Sequence, residues 1–227
     1  MMRRAAAVLA LGVLAVVALP AAAAAGGLDL RLGAFWPNAD SNLFNDDSEL
    51  YFVNDGDWVG FTGGAEYSMK LANNLELGFH LDGYGKHVDT AYRDFVRDDG
   101  SDIRQTLELD TAPLGFTLRL IPTGRRAKVA PFVGVGGDMV FYEYKEYGDF
   151  VDFFDPTLPV IFDSFRSDGL AWGFHATGGV RVFVSDDVAI VGEARYIVAK
   201  DDMDDDFRGN RIDLGGVAAT LGVHIRF

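Results

Sequence analysis

The sequence has no cysteine among its 227 residues, so it can form neither a disulfide framework nor a thiolate nucleophile or metal ligand. Beyond residue 25 it also lacks any apolar run of about 18 residues, and no transmembrane helix is expected there. Positive charge is scarce, with 20 Lys and Arg against 34 Asp and Glu. The resulting net charge of −14 argues against a nucleic-acid partner.

Residues 1–25 are predicted to be a cleavable secretory signal peptide. Arg3 and Arg4 supply a positive segment, AAAVLALGVLAVVALP supplies an apolar core, and the alanine run that follows offers a cleavage site after Ala25. An uncleaved anchor helix is the alternative, because this stretch is about long enough to span a bilayer, although Pro20 weakens its end. A lipoprotein anchor is not expected, since no cysteine follows the apolar core.

The remaining residues, 26–227, alternate apolar and polar side chains almost throughout. The first run, GLDLRLGAFW, puts Leu28 and Leu30 on one face and Asp29 and Arg31 on the other. Such a period of two indicates β-strands, and an abundance of glycine and phenylalanine agrees with them. Eight runs of this kind predict eight strands, the last of which ends in ATLGVHIRF.

The fourth run, TLELDTAPLGFTLRL, changes phase along its length. Leu107 and Leu109 begin it in one phase, and Leu118 and Leu120 end it in the other. A slip of one residue moves every later side chain to the opposite face of a strand. A β-bulge is therefore predicted near residues 112–113.

The connections between the runs alternate between long and short. In chain order they cover residues 37–57, 71–74, 86–103, 122–128, 145–167, 185–187 and 200–210. Four long loops and three short turns are the pattern of an eight-stranded outer-membrane barrel, whose strands need roughly 9–11 residues each. We predict one all-β domain over residues 26–227, an eight-stranded antiparallel up-and-down transmembrane β-barrel.

The composition of the polar face predicts which face is inside. A soluble barrel turns its apolar face inward, whereas a membrane barrel turns it outward. Acids and arginines mixed with glycine suit a narrow lumen that is filled by side chains, because each buried carboxylate can pair with a guanidinium group. The predicted lumen charge network comprises Glu66, Glu76, Asp82, Glu108, Arg119, Asp138, Arg181, Glu193, Arg195 and Arg226.

The apolar face carries aromatic residues that are predicted to form two girdles at the membrane interfaces. They are Trp36, Tyr67, Phe79, Phe116, Phe141, Trp172, Tyr196 and Phe227. A packed core is the alternative for any one of them, and the export signal favours the membrane interpretation for the set.

The closing segment LGVHIRF resembles the terminal strand of outer-membrane β-barrel proteins, which ends in phenylalanine after alternating apolar residues. VAPFVGVGGDMVFYEY and VAIVGEARYIV are similar to later strands of small OmpA-, OmpX- and OmpW-type barrels. The resemblance implies a location in the outer membrane of a Gram-negative-type envelope, in contact with outer-membrane lipid and lipopolysaccharide. It also implies that Phe227 is an assembly signal for the barrel assembly machinery.

Catalysis and cofactors are not expected. Three of the four histidines, His80, His175 and His224, fall on the predicted lumen face, where a histidine is more often part of a packed network than a base. The expected function is that of a monomeric, non-catalytic barrel with a structural or surface-interacting role. A narrow channel or an OmpW-like conduit for small hydrophobic molecules is one alternative, and a lipid-A-modifying barrel enzyme is another.

The long connections carry two further features. They hold 21 of the 34 acidic residues, and hard divalent cations bind clustered carboxylates; a solvated loop is the alternative. The candidate cation ligands are Asp201, Asp202, Asp204, Asp205 and Asp206. The connection at 145–167 is rich in phenylalanine and is predicted to cap the barrel mouth, with partner binding as the alternative.

Overall fold

The computed structural model of the protein describes residues 26–227, so the predicted signal peptide lies outside the described residues. Eight long antiparallel strands close into a ring, in which the first strand pairs with the second on one side and with the last on the other. The predicted eight-stranded up-and-down barrel is confirmed. Its strands are β1 Gly26–Pro37, β2 Gly60–Ala72, β3 Leu75–Val96, β4 Asp102–Leu120, β5 Val129–Val151, β6 Val160–Phe183, β7 Val188–Asp202 and β9 Gly216–Arg226.

Three smaller kinds of element lie in the connections at the end of the barrel that we call the outer end. The α-helix α1, Asn42–Leu50, and a 3-10 helix, Asp55–Trp58, follow β1. A second 3-10 helix, Asp205–Phe207, precedes the three-residue strand β8, Arg211–Asp213, which pairs with β7. Both ends of the described chain and the short turns lie at the opposite, inner end. Among the described residues, neither α1 nor any other helix has the length and apolar character needed to cross a bilayer.

The alternation of the sequence puts apolar side chains outside the barrel and charged ones inside. Leu32 and Trp172 on the outer surface are 61% and 72% exposed, whereas Glu66 and His80 in the lumen are fully buried. This is the arrangement of a membrane barrel and the reverse of that in a soluble one. The eight aromatic residues predicted for the apolar face all lie on the outward side of their strands.

The change of phase in β4 is not a bulge. Residues 105–120 pair with β5 in one continuous register, from Gln105 opposite Gly148 to Leu120 opposite Val133. Leu107 and Leu109 point inward, as Arg119 does further along the same face. The predicted bulge is therefore wrong, because the lining of the lumen changes from apolar to polar along its length while the backbone stays regular.

The strands of the middle of the chain are much longer than predicted. Strands β3, β4, β5 and β6 have 22, 19, 23 and 24 residues, about twice the roughly 9–11 that cross a bilayer. The predicted loops 86–103 and 145–167 shrink to residues 97–101 and 152–159. The sequence alternation marks only the lipid-facing part of each strand, whereas backbone pairing continues beyond it with polar side chains outside.

The outer half of the barrel is filled by apolar side chains, and the connection after β1 supplies many of them. Helix α1 buries Leu43 and Phe44, and the ring of Trp58 lies edge-on to Phe44 with 5.3 Å between the centroids. We call this apolar filling the outer core. Its members include Phe35, Leu43, Phe44, Val53, Trp58, Tyr84, Leu107, Leu109, Val140, Tyr144, Ile197, Ile212 and Leu214.

The connection that caps the mouth is thus residues 38–59 rather than 145–167. Phe154 is fully exposed and Phe162 is 75% exposed, so neither fills the lumen. Phe150 and Phe165 of the same region pack on one another, with ring centroids 4.9 Å apart. The prediction for 145–167 is corrected: this hairpin adds Val151 to the outer core, but its exposed phenylalanines lie outside, and α1 and the residues after it fill the mouth.

Candidate functional site

The inner half of the lumen is filled by charged side chains, and we call it the charged lumen. Alternation puts the charged residues of β1 to β7 at inward positions, and one arginine comes from the turn after β4. The set comprises Arg31, Arg119, Arg125, Arg181 and Arg195 with Asp29, Glu66, Glu76, Asp82, Asp138 and Glu193.

Arg31 and Arg195 share two carboxylates. Arg31 Nη1 lies 2.6 Å from Glu193 Oε1, and its Nη2 lies 3.0 Å from Asp82 Oδ1. Arg195 reaches the same pair, 2.8 Å to Asp82 Oδ2 and 3.0 Å to Glu193 Oε1. Each carboxylate therefore has at least two cationic neighbours, which offsets the cost of burying it.

Arg119 and Arg181 extend the charged lumen towards the inner end. Arg119 Nη1 lies 2.6 Å from Glu66 Oε1. Arg181 joins Glu76 at 2.8 Å and Asp29 at 2.9 Å. Both guanidinium groups also lie over the ring of Phe132, at 4.6 and 5.5 Å from its centroid. These contacts cross the lumen between distant strands, and so leave little open space along its axis.

Of the ten residues predicted for the lumen network, the structure brings eight together. Glu108 lies elsewhere, because the inward positions of β4 have odd numbers and Glu108 faces outward, where it pairs with His87 at 2.8 Å. Arg226 is inward but contacts no acid: its guanidinium donates to the backbone carbonyls of Arg125, at 2.7 Å, and of Asp186. The predictions for Glu108 and Arg226 are therefore corrected.

Three residues of the charged lumen were absent from the predicted network. The same alternation that identified the others places Asp29 and Arg31 on the inward face of β1. Arg125 lies in the turn after β4, where alternation does not indicate the direction of a side chain. Its Nε lies 2.5 Å from Glu76 Oε1. Only a tertiary structure brings this turn beneath the barrel.

A smaller cluster joins two histidines, one carboxylate and one hydroxyl. His80 Nε2 lies 2.9 Å from Asp138 Oδ1, and His175 Nδ1 lies 2.7 Å from Asp138 Oδ2. Thr117 Oγ1 lies 2.9 Å from His175 Nε2. The order Thr–His–Asp has the connectivity of a hydrolase triad, but Thr117 is completely buried in the lumen.

The five aspartates proposed as cation ligands do not converge. Asp201 accepts a hydrogen bond from Tyr142 at 3.1 Å, Asp202 from Arg211 at 3.2 Å, and Asp206 from the backbone of Arg166 at 2.8 Å. Over residues 26–227, the one group of imidazoles and carboxylates close enough to share an ion is His80, Asp138 and His175.

The comparisons with known proteins agree with this geometry. The family model described as an outer membrane protein beta-barrel domain matches residues 6–227. The chain belongs to this outer-membrane β-barrel family. Its location in the outer membrane and its resemblance to small outer-membrane barrels are thereby confirmed. No curated protein matches the sequence significantly.

Two solved structures show the same fold as this outer-membrane barrel. One is the outer membrane protein OprG from Pseudomonas aeruginosa, with a TM-score of 0.57, 12% identity, and coverage of 90% of this chain and 97% of that one. The other is Neisserial surface protein A, with a TM-score of 0.52, 12% identity, and coverage of 89% and 97%.

A small cavity separates the outer core of this outer-membrane barrel from its charged lumen. It has a volume of about 30 Å³, and its lining includes Phe35, Tyr84, Arg31, Asp82 and Arg195. A water molecule needs roughly 10–15 Å³ and benzene occupies a cavity of about 150 Å³. The cavity therefore has room for water and not for a hydrophobic ligand.

The cap of the outer-membrane barrel is tied to the wall through two carboxyl groups. Tyr144 Oη lies 2.7 Å from Asp47 Oδ2 and 3.1 Å from Glu146 Oε1. A hydroxyl has one proton and can donate to only one of them. Burial raises the pKa of the Asp47 carboxyl well above its usual range, and the nearby Glu146 carboxylate contributes to the rise.

We expect the docking of α1 to weaken as pH rises. An acid with a raised pKa in the docked state binds its proton more tightly there, so docking is favoured at low pH and is weakened as pH rises through that pKa. Amide hydrogen exchange in α1, corrected for the intrinsic rate, should therefore increase as the pH rises above the ordinary carboxyl range of about 4. In Asp47→Asn the dependence should become clearly smaller, because Glu146 is then the one carboxyl left beside Tyr144, whereas replacement of the exposed neighbour in Asp46→Asn should keep it. An unchanged pH dependence in Asp47→Asn would contradict the prediction.

Proposed function

We propose that the protein is a closed, non-catalytic outer-membrane barrel with a structural or surface-interacting role. The observation that carries this proposal is the double filling of the lumen, with the outer core above and the charged lumen below. The guanidinium–carboxylate contacts cross the lumen axis, and the cavity between the two layers, of about 30 Å³, has room only for water. We therefore expect neither a hydrophobic solute nor a hydrated ion to pass between these layers.

Single-channel recording of the refolded barrel in planar bilayers tests the proposal. We expect no steady open steps for the intact chain. A variant that lacks residues 42–58 should also stay closed, because the charged lumen remains below the deleted cap. Steady open steps of the intact chain would instead establish the narrow-channel alternative.

The absence of catalysis is supported by the burial of the Thr117–His175–Asp138 group. A lipid-modifying site needs a nucleophile at the rim of the barrel, where a lipid headgroup can reach it, whereas Thr117 lies inside the lumen. Mass spectrometry of lipid A from cells with and without the gene tests this part. A mass difference that Thr117→Val abolishes would show that the barrel is an enzyme.

A surface-interacting role is favoured by the tip of the β5–β6 hairpin. Phe154 and Phe162 are exposed there beyond the lipid-facing belt, and large exposed apolar groups tend to mark interaction surfaces. Cells that carry Phe154→Ser together with Phe162→Ser should adhere less to apolar surfaces than cells with the unchanged protein. Equal adhesion at equal surface amounts would remove this role.

We further propose that the barrel is a monomer in contact with outer-membrane lipid and lipopolysaccharide. The closed ring offers no long free strand edge for pairing with a second copy. Its outward apolar side chains form the lipid-facing surface.

Phe227 is proposed as the residue that the barrel assembly machinery reads. Its side chain is exposed beside Tyr67, with ring centroids 6.2 Å apart, and its backbone pairs with Gly26 at 2.9 Å. Deleting Phe227 is therefore expected to lower the amount of folded protein in outer-membrane fractions severalfold, measured by the heat-dependent shift on SDS gels. A matched substitution of the lipid-facing Phe174 by alanine should have a smaller effect. Normal assembly of the chain without Phe227 would refute its role.

A further inference from the structure

The cluster of His80, Asp138 and His175 has a composition unlike the rest of the charged lumen. The three side chains come from β3, β5 and β6, and all are buried. One potential ligand atom from each lies within 4.8 Å of the others. We propose that this cluster binds a divalent first-row transition-metal ion such as Zn²⁺.

The first argument is charge. Five of the six carboxylates of the charged lumen have an arginine within 3.0 Å: Asp29, Glu66, Glu76, Asp82 and Glu193. Among the described residues, the ion-pair partners of Asp138 are two histidines and no arginine. A buried carboxylate requires a compensating charge. A bound cation between the imidazoles supplies it without protonating either ring.

The second argument is the chemistry of the donor atoms. Two imidazole nitrogens and one carboxylate oxygen form a set that suits zinc, iron, cobalt or nickel, whereas calcium and magnesium prefer oxygen alone. Tetrahedral zinc with bonds of about 2.0–2.1 Å places its ligands about 3.3 Å apart. His175 Nδ1 and His80 Nε2 now lie 2.7 and 2.9 Å from the two different oxygens of Asp138, and one donor atom from each residue lies within 4.8 Å of the others. Side-chain movements of about an ångström therefore bring the three donors to these ligand distances.

The third argument is the surroundings of the ligands. Thr117 Oγ1, 2.9 Å from His175 Nε2, can accept a hydrogen bond from the N–H of that nitrogen, which leaves Nδ1 unprotonated and able to bind the metal. Two glycines provide the space: a Cβ at Gly115 would lie 2.4 Å from Asp138 Oδ1, and one at Gly136 would lie 2.5 Å from His175 Cε1. Both positions therefore exclude side chains that would push the ligands out of place.

The experiment uses the barrel without its signal peptide and without a histidine tag. The chain is unfolded in denaturant with a chelator, refolded in detergent with or without Zn²⁺, and passed over a gel-filtration column before its zinc content is measured. We expect about one zinc per folded chain and an affinity that falls at least about tenfold in His175→Gln, His80→Gln and Asp138→Asn. The heat-dependent shift on SDS gels verifies folding of each variant.

His224→Gln is the matched control. His224 also lies buried in the lumen and pairs with an aspartate, Asp29, at 3.0 Å, but it is outside the cluster. This variant should bind zinc as the unchanged chain does. Equal zinc retention in Asp138→Asn, or no retention by the folded unchanged chain at saturating zinc, would overturn the proposal and leave Asp138 as an acceptor of two imidazole hydrogen bonds.

A second measurement needs no variant. Cobalt(II) loaded into the unchanged barrel in place of zinc should show the visible absorption of a four- or five-coordinate ion. X-ray absorption at the cobalt edge should count two imidazole ligands. A spectrum of hexahydrated cobalt would contradict the assignment even if the substituted chains do not fold.

Discussion

Replacing Arg119 by alanine is expected to destabilise the barrel by about 3–5 kcal/mol, because it removes the nearest cation of the buried Glu66 carboxylate and one of the cations beside Glu193. Arg119 lies 2.6 Å from Glu66 and 3.3 Å from Glu193, and it is almost completely buried. The free energy of unfolding would be measured by urea titration of the barrel refolded into lipid vesicles. Such a loss is a large fraction of the stability of a domain of this size.

Two further variants test whether the loss of stability in Arg119→Ala comes from the unpaired buried charge. Arg104→Ala removes an arginine that is 77% exposed and paired with Asp102, and it should change the free energy of unfolding by less than about 0.5 kcal/mol. Arg119→Met combined with Glu66→Gln removes both halves of a buried pair and should recover part of the loss. If Arg119→Ala unfolds as Arg104→Ala does, the charged lumen does not depend on this pairing.

Replacing Trp58 by alanine is expected to release the cap. The indole is buried in the outer core, lies edge-on to Phe44, and its backbone carbonyl accepts a hydrogen bond from Tyr84. Losing a buried tryptophan costs about 3–5 kcal/mol of packing energy. A nine-residue helix is too short to be stable by its own backbone hydrogen bonds, so it depends on this packing. Amide hydrogen exchange in α1 should therefore accelerate by at least about a hundredfold, while the strands below stay protected.

The matched control for Trp58 is Phe154. It is an aromatic residue in another outer connection, but it is fully exposed. Phe154→Ala should therefore change the free energy of exchange protection in α1 by less than about 0.5 kcal/mol. Protection of α1 that survives Trp58→Ala would show that the helix is held by its carboxyl contacts instead.

The alternation in the sequence was sufficient to predict the barrel because lipid imposes a period of two on every strand that faces it. The pattern within a single strand is enough to predict which way each of its side chains points, as in β1 for Leu30, Leu32, Asp29 and Arg31. Where the outer surface of a strand meets water, its outward side chains are polar too. The alternation of apolar and polar residues then no longer indicates that the segment is a strand. For this reason the sequence predicts loops where the outer parts of β3 to β6 lie, and it predicts the wrong side of β4 for Glu108.

The contents of the lumen were less predictable. The pattern shows that Asp138 and His175 point inward, but it does not show that Asp138 meets His80, which lies two strands away in the ring. Helix α1 lies in a connection with little periodic signal, and its burial depends on the apolar lining that β4 and β5 present to it.

The sequence by itself determined the class of the protein, because strand alternation is a local property of the chain. It also determined which face of each lipid-facing strand segment is charged. Only the tertiary structure decided how far the strands extend, which connection closes the mouth, and which acid pairs with which cation. These depend on contacts between strands that are distant in sequence, whose distances are set by closure of the ring.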